Sequence, residues 1–178
     1  EGKEYKMPSC WEEVSVETFE RGVELSAKVG EYASEVQYTL EMFSVLSGAS
    51  IDDLKKMTRK SFEELSNLFG WLQEEFEPST SKKEFVLDGE EYIAIENLDS
   101  LEMGDAINIE LMIKESNESN ILGNILPMLI RKKKTIYKEG GKIKVVPEDF
   151  NADEYPATKE LFRKKLMVTD VIALKGFF

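Results

Sequence analysis

Glu84-Phe85-Val86-Leu87-Asp88-Gly89-Glu90-Glu91-Tyr92-Ile93-Ala94-Ile95 reads as a β-hairpin in a chain of otherwise mostly helical periodicity. Asp88-Gly89 suits the positive φ angles of a two-residue turn, with strands from Glu84 to Leu87 and from Glu91 to Ile95. The same turn opens a repeat, because Gly89-Glu90-Glu91-Tyr92 echoes Gly2-Lys3-Glu4-Tyr5 at a spacing of 87 residues. At that spacing Trp11 aligns with Leu98, Val14 with Leu101 and Val16 with Met103. Each copy reads as a Gly-centred turn, a short strand, an acidic turn and an amphipathic helix. The expectation is an α+β fold, mostly helical with two or three short β-hairpins. It is built from two related halves, residues 1–78 and 84–178, that share one core and are joined by the polar linker 78–83.

Outward from the hairpin, the helices announce themselves by period. Residues 2 to 8 read as extended chain ending at Pro8. Ser15 caps a helix with Val16, Phe19, Val23 and Ala27 on one face, which Gly30 breaks. A second helix is predicted from Glu31 to Ser47, with Tyr32, Val36, Leu40 and Phe43 on one stripe and Gly48 at its end. Ser50 opens a short helical turn and Thr58 caps the next helix, where Phe62, Leu65, Phe69, Leu72 and Phe76 form a core-facing stripe too short for a convincing coiled coil. Leu68 and Trp71 widen that stripe and point to burial from two directions. Beyond the hairpin, Met103, Ile107 and Leu111 mark a helix reaching about Lys114, and Pro127 is expected to end the next one near Leu126. Thr135 to Tyr137 and Lys142 to Val146 flank Gly140-Gly141 as a further hairpin. A helix spans Glu154 to Lys165, and Asp170 to Phe178 reads as helical and apolar, ending at Phe177-Phe178. Apolar surface of that kind must be buried or meet a partner.

The chain of 178 residues carries 42% apolar and 33% charged residues, as a globular protein with a heavily charged surface does. No apolar run reaches the roughly 18 to 20 residues that span a bilayer, so no membrane association is expected. The opening residues lack a basic stretch followed by an apolar one, so no signal peptide is expected. The net charge of −12 is unevenly held: residues 1 to 130 have 11 Lys and Arg against 28 Asp and Glu, and residues 131 to 178 have 12 against 7. An acidic body with a basic closing section favours basic protein patches, or other copies of this chain, over nucleic acid. Histidine is absent. That removes the commonest general base, both His-activated nucleophile pairs and the commonest transition-metal ligand. The single cysteine, Cys10, lies beside Trp11, Glu12 and Glu13, a setting that does not activate a thiolate, and it reads as structural.

Candidate sites are few. Glu12-Glu13, Asp52-Asp53, Glu63-Glu64, Glu74-Glu75 and Glu90-Glu91 are adjacent acids, which diverge on a helix and make poor catalytic pairs or metal clamps. Asp99, Glu102 and Asp105 could offer oxygen ligands to Ca²⁺ but lack the ordered loop that such sites use, and a helix N-terminus explains them equally well. Arg131-Lys132-Lys133-Lys134 is the sharpest basic cluster, supported by Arg163-Lys164-Lys165. It reads first as a solvated turn, then as a contact for an acidic protein surface, and last as a nucleic-acid contact, since only Tyr137 offers an aromatic platform nearby. No phosphate loop, nucleophile elbow or Cys-x-x-Cys pair is present. No enzyme activity, cofactor or metal is expected. The candidate partner-binding residues are Arg131, Lys132, Lys133, Lys134, Phe177 and Phe178.

Several patches share a layout with one kind of small viral protein. They are Gly2-Lys3-Glu4-Tyr5-Lys6-Met7-Pro8, then Trp11-Glu12-Glu13-Val14-Ser15-Val16-Glu17-Thr18-Phe19, and Leu46-Ser47-Gly48 before a capped short helix. Phe85-Val86-Leu87-Asp88-Gly89-Glu90-Glu91-Tyr92 comes next, and Val168-Thr169-Asp170 with Gly176-Phe177-Phe178 closes the chain. In this layout the chain resembles the tail assembly chaperone-like proteins of the structural modules of tailed bacteriophages, especially the crAss-like phages of Bacteroidales. The second copy departs from the pattern at Met103-Gly104-Asp105-Ala106-Ile107, where a polar-aromatic helix start is expected. The resemblance implies a non-enzymatic role, binding other phage structural proteins during tail or virion assembly or riding as a minor virion component. It places the chain in the host cytoplasm during assembly and in the virion if retained. It transfers no functional residues. The alternative is a nucleic-acid or packaging-associated protein that uses residues 131–134.

Overall fold

In the computed structural model, which describes residues 4–73, 82–95, 101–137, 143–172 and 174, the chain folds as α+β, mostly helical with one four-stranded antiparallel sheet. The helices are α1 (Val16–Ala27), α2 (Glu35–Ser47), α3 (Ile51–Leu54), α4 (Arg59–Leu68), α5 (Met103–Glu115), α6 (Ile121–Leu129), α7 (Tyr155–Lys165) and α8 (Val168–Val171). The strands β1 (Glu84–Leu87), β2 (Glu90–Ala94), β3 (Ile130–Tyr137) and β4 (Ile143–Pro147) lie in the order of the sequence.

Capping chemistry sets the helix starts. The side chains of Ser15, Ser34, Ser50 and Thr58 each accept a backbone N–H three residues on, satisfying a donor the helix cannot. Ser34 therefore starts α2 at Glu35, four residues later than the apolar stripe alone predicts, and a 3₁₀ turn over Val29–Glu31 fills the gap. Gly48, at φ 71°, ends α2 in the left-handed conformation that glycine adopts without strain. The β1–β2 turn has φ 50° at Asp88 and 87° at Gly89, as the hairpin reading requires.

The sheet's inner face is set by register. Phe85 pairs with Tyr92 and Ala94 with Ile130, and all four are buried. Tyr92 meets Phe162 of α7 edge to face at 5.2 Å. Behind them α6 is apolar almost throughout, with Ile125, Leu126, Met128 and Leu129 at most 1% exposed, each worth roughly 1.5–3 kcal/mol of burial. That burial explains why Pro127 does not end α6 near Leu126. The proline removes one donor from the last turn, and the helix runs on to Leu129 and directly into β3.

The N-terminal helices join this core through backbone as well as side chains. Val16 N–H donates to the Leu166 carbonyl at 3.0 Å, and Val168 N–H to the Val14 carbonyl at 2.8 Å. The buried cluster accordingly runs from Val14, Val16 and Phe43 through the sheet to Phe162, Leu166 and Val171. The spacing of 87 residues begins α1 at Val16 and α5 at Met103, yet Val16 is fully buried and Met103 is 75% exposed. Residues 4–8 form no strand, so the hairpin has no partner of its kind among the described residues of the first half. No helix among the described residues is long and apolar enough to cross a membrane.

Candidate interaction surface

The basic run does not form a solvated turn. Arg131 to Lys134 lie in β3, which begins five residues before the predicted strand because Tyr92, Ile93 and Ala94 of β2 pair with Lys132, Arg131 and Ile130. Alternation then splits the cluster between two faces. Arg131 is buried, with Nε donating to the Met128 carbonyl at 3.1 Å, a guanidinium nitrogen 2.9 Å from Asp105 of α5, and Phe150 under the guanidinium at 5.6 Å. These contacts clamp the strand to α5 and to the end of α6, and Arg131 also lines the cavity that Lys132 and Lys134 reach. Lys133 bridges Glu84 at 2.7 Å and Glu91 at 3.5 Å, and the Glu84 hydrogen bond holds its ammonium above the ordinary lysine range. Lys132 and Lys134, on the other face, line a cavity of about 240 Å³ that they share with Glu148, Asp149 and Glu154. The supporting group on α7 is likewise engaged: Arg163 pairs with Glu20 and Glu160, Lys164 with Glu160, and Lys165 with Asp88.

Of the other candidates, Asp105 is the ion-pair partner of Arg131, and Glu102 takes the N-cap position of α5 without a side-chain cap bond. Asp99, Glu74-Glu75, Phe76, the Gly140-Gly141 turn, the linker 78–81 and the terminal pair Phe177-Phe178 lie outside the described residues. No group of three or more Cys, Asp or Glu side chains that could hold a metal ion occurs among the described residues.

A more apolar open feature is a groove of about 490 Å³ between α1, α2 and the end of α4. Phe19 and Val23 of α1, Met42 and Leu46 of α2, and Trp11 and Leu72 from the flanking turns are only half-buried and line it. Phe43 and Phe69, stacked at 4.9 Å, form its floor, and Trp11 meets Phe19 edge to face at 6.3 Å. The far end is polar, where Ser26 and Tyr38 hydroxyls hydrogen-bond at 3.2 Å. Gly22 lies along the α1 wall, and a Cβ built there meets nothing within 4 Å. Among the described residues, none of the lining side chains carries a charge.

By period these stripes belong to the core, and only part of each is there. Periodicity reports which residues share a face of one helix and not whether a neighbouring element covers that face. The signal that could have marked the groove is the placement of Gly22 and Thr39 in otherwise apolar faces, where a closed core would use larger side chains. A second open face runs along α5, whose predicted stripe of Met103, Ile107 and Leu111 is 75%, 51% and 48% exposed while Ile109 faces the core.

Comparison of the chain with family models, with curated proteins and with solved structures finds no match.

Proposed function

We propose that this chain is a non-enzymatic binding protein of a tailed phage, acting in tail or virion assembly or carried as a minor virion component. The observation that carries the reading is the aromatic groove on α1, α2 and α4, a preformed concave apolar surface with polar groups at one end, as binding sites are built. The layout of short sequence patches that resembles tail assembly chaperone-like proteins supplies the setting. The nucleic-acid alternative is the weaker reading, because Arg131 and Lys133 are engaged in internal ion pairs and the cavity beside Lys132 and Lys134 sets three cations against three acids.

Quantitative mass spectrometry of purified particles, set beside affinity capture from lysate during assembly, tests the proposal. A fixed copy number in particles identifies a virion component, and capture of one structural protein without retention identifies an assembly chaperone. Absence from particles together with no captured structural protein would overturn the reading.

A further inference from the structure

We infer that the groove on α1, α2 and α4 takes the apolar face of a basic amphipathic helix supplied by a protein partner. The inference rests on the binding role proposed above and adds the chemistry of what is bound.

Length and charge both select this occupant. The groove follows α1 from Trp11 to Ser26, and a helix of 12 residues is about 18 Å long, enough to seat three turns of another helix. Its lining is uncharged among the described residues, whereas the segment that forms most of its walls, residues 10–47, holds eight acids against two bases, one of the acids, Glu20, being buried against Arg163. Lys28, one of those two, is already paired with Glu24 at 2.7 Å. Four of the eight acids lie close in sequence to lining residues at its two ends. Glu12 and Glu13 are exposed in the turn that carries Trp11. Glu35 is exposed one helical turn before Thr39, with Glu31 in the preceding turn. An uncharged apolar floor between acidic ends complements a helix with apolar anchors at i, i+3, i+4 and i+7 and Lys or Arg at its flanks.

The test uses a fluorescein-labelled Leu/Lys amphipathic helix of roughly 18 residues, or five turns, as the probe, with fluorescence anisotropy on the full chain as the readout. Its comparators are a Leu/Glu peptide of the same pattern and a Leu/Lys peptide of scrambled order. Gly22→Leu fills the groove at a position where a Cβ meets nothing within 4 Å, so the fold should be kept, and Thr39→Lys places a cation in the groove. The expected result is binding of the patterned Leu/Lys peptide at least about tenfold tighter than of either comparator, with a loss of about tenfold or more in both variants and no fall in Tm, since leucine within α1 favours the helix over Gly22. Absence of binding, equal binding of the scrambled peptide, or binding that Gly22→Leu leaves intact would overturn the inference. So would self-association of the peptide-free chain that Gly22→Leu abolishes, which would make a second copy the occupant. The particle and lysate measurements use no designed peptide, so failure of this inference and failure of the binding role are read separately.

Discussion

Glu20 of α1 is 5% exposed, and its two carboxylate oxygens take Gly123 N–H of α6 at 2.8 Å and Arg163 Nε of α7 at 2.6 Å. One side chain thereby ties three helices, and Gly123 is the residue that permits it. A Cβ at position 123 would lie 2.6 Å from Glu20 Oε1 and 2.9 Å from Arg163 Cγ, so Gly123→Ala should cost about 2–3 kcal/mol in urea unfolding. Burial raises the Glu20 pKa above its ordinary value of 4.5, against the pull of Arg163 and the Gly123 amide. The native state therefore holds this proton more tightly than the unfolded state. Its contribution is fully present below 4.5 and is lost as pH rises through the folded pKa. The wild type should gain stability relative to Glu20→Gln as pH falls from neutral towards 4.5, measured as the difference between the two unfolding curves. Arg131→Ala, which strands the half-buried Asp105, should cost about 3 kcal/mol, whereas Lys134→Ala at an exposed position should stay within about 0.5 kcal/mol.

Local chemistry decides where elements start. Ser34→Ala should lower stability by about 1 kcal/mol through loss of the bond to Gln37 N–H, read by chemical denaturation. The sequence displays such signals openly: the Asp88-Gly89 turn, the Ser15, Ser50 and Thr58 caps and the Gly48 stop all act as their chemistry predicts. What it conceals is pairing at a distance. Four consecutive cations look like a solvated turn until Glu84, Glu91 and Asp105, up to 49 residues away, neutralise two of them and let β3 form. Pro127 looks like a helix stop until the burial of its neighbours outweighs one missing donor. Leu68, grouped with Trp71 from the stripe, is 69% exposed because α4 ends there and the chain turns into a 3₁₀ segment that buries Trp71 instead.

For the whole molecule, the α+β character was legible from period and turn chemistry, while the candidate site was not. Phe177 and Phe178 lie outside the described residues, and the basic cluster is half internal. The groove emerges only once α1, α2 and α4 are assembled, because no described element covers the outer sides of Phe19, Met42 and Leu72. Half of the net −12 resides in residues 10–47, the segment that forms most of the groove's walls. If this groove meets a structural protein during assembly, a probe inside it must touch that protein. Site-specific photocrosslinking reads this contact, with benzoylphenylalanine placed at Thr39 inside the groove or at exposed Thr135 on β3, and with the adduct identified from assembling lysate. One structural-protein adduct from position 39 and none from position 135 is the expected result; no adduct from either position, or the same adducts from both, would contradict a binding role for the groove.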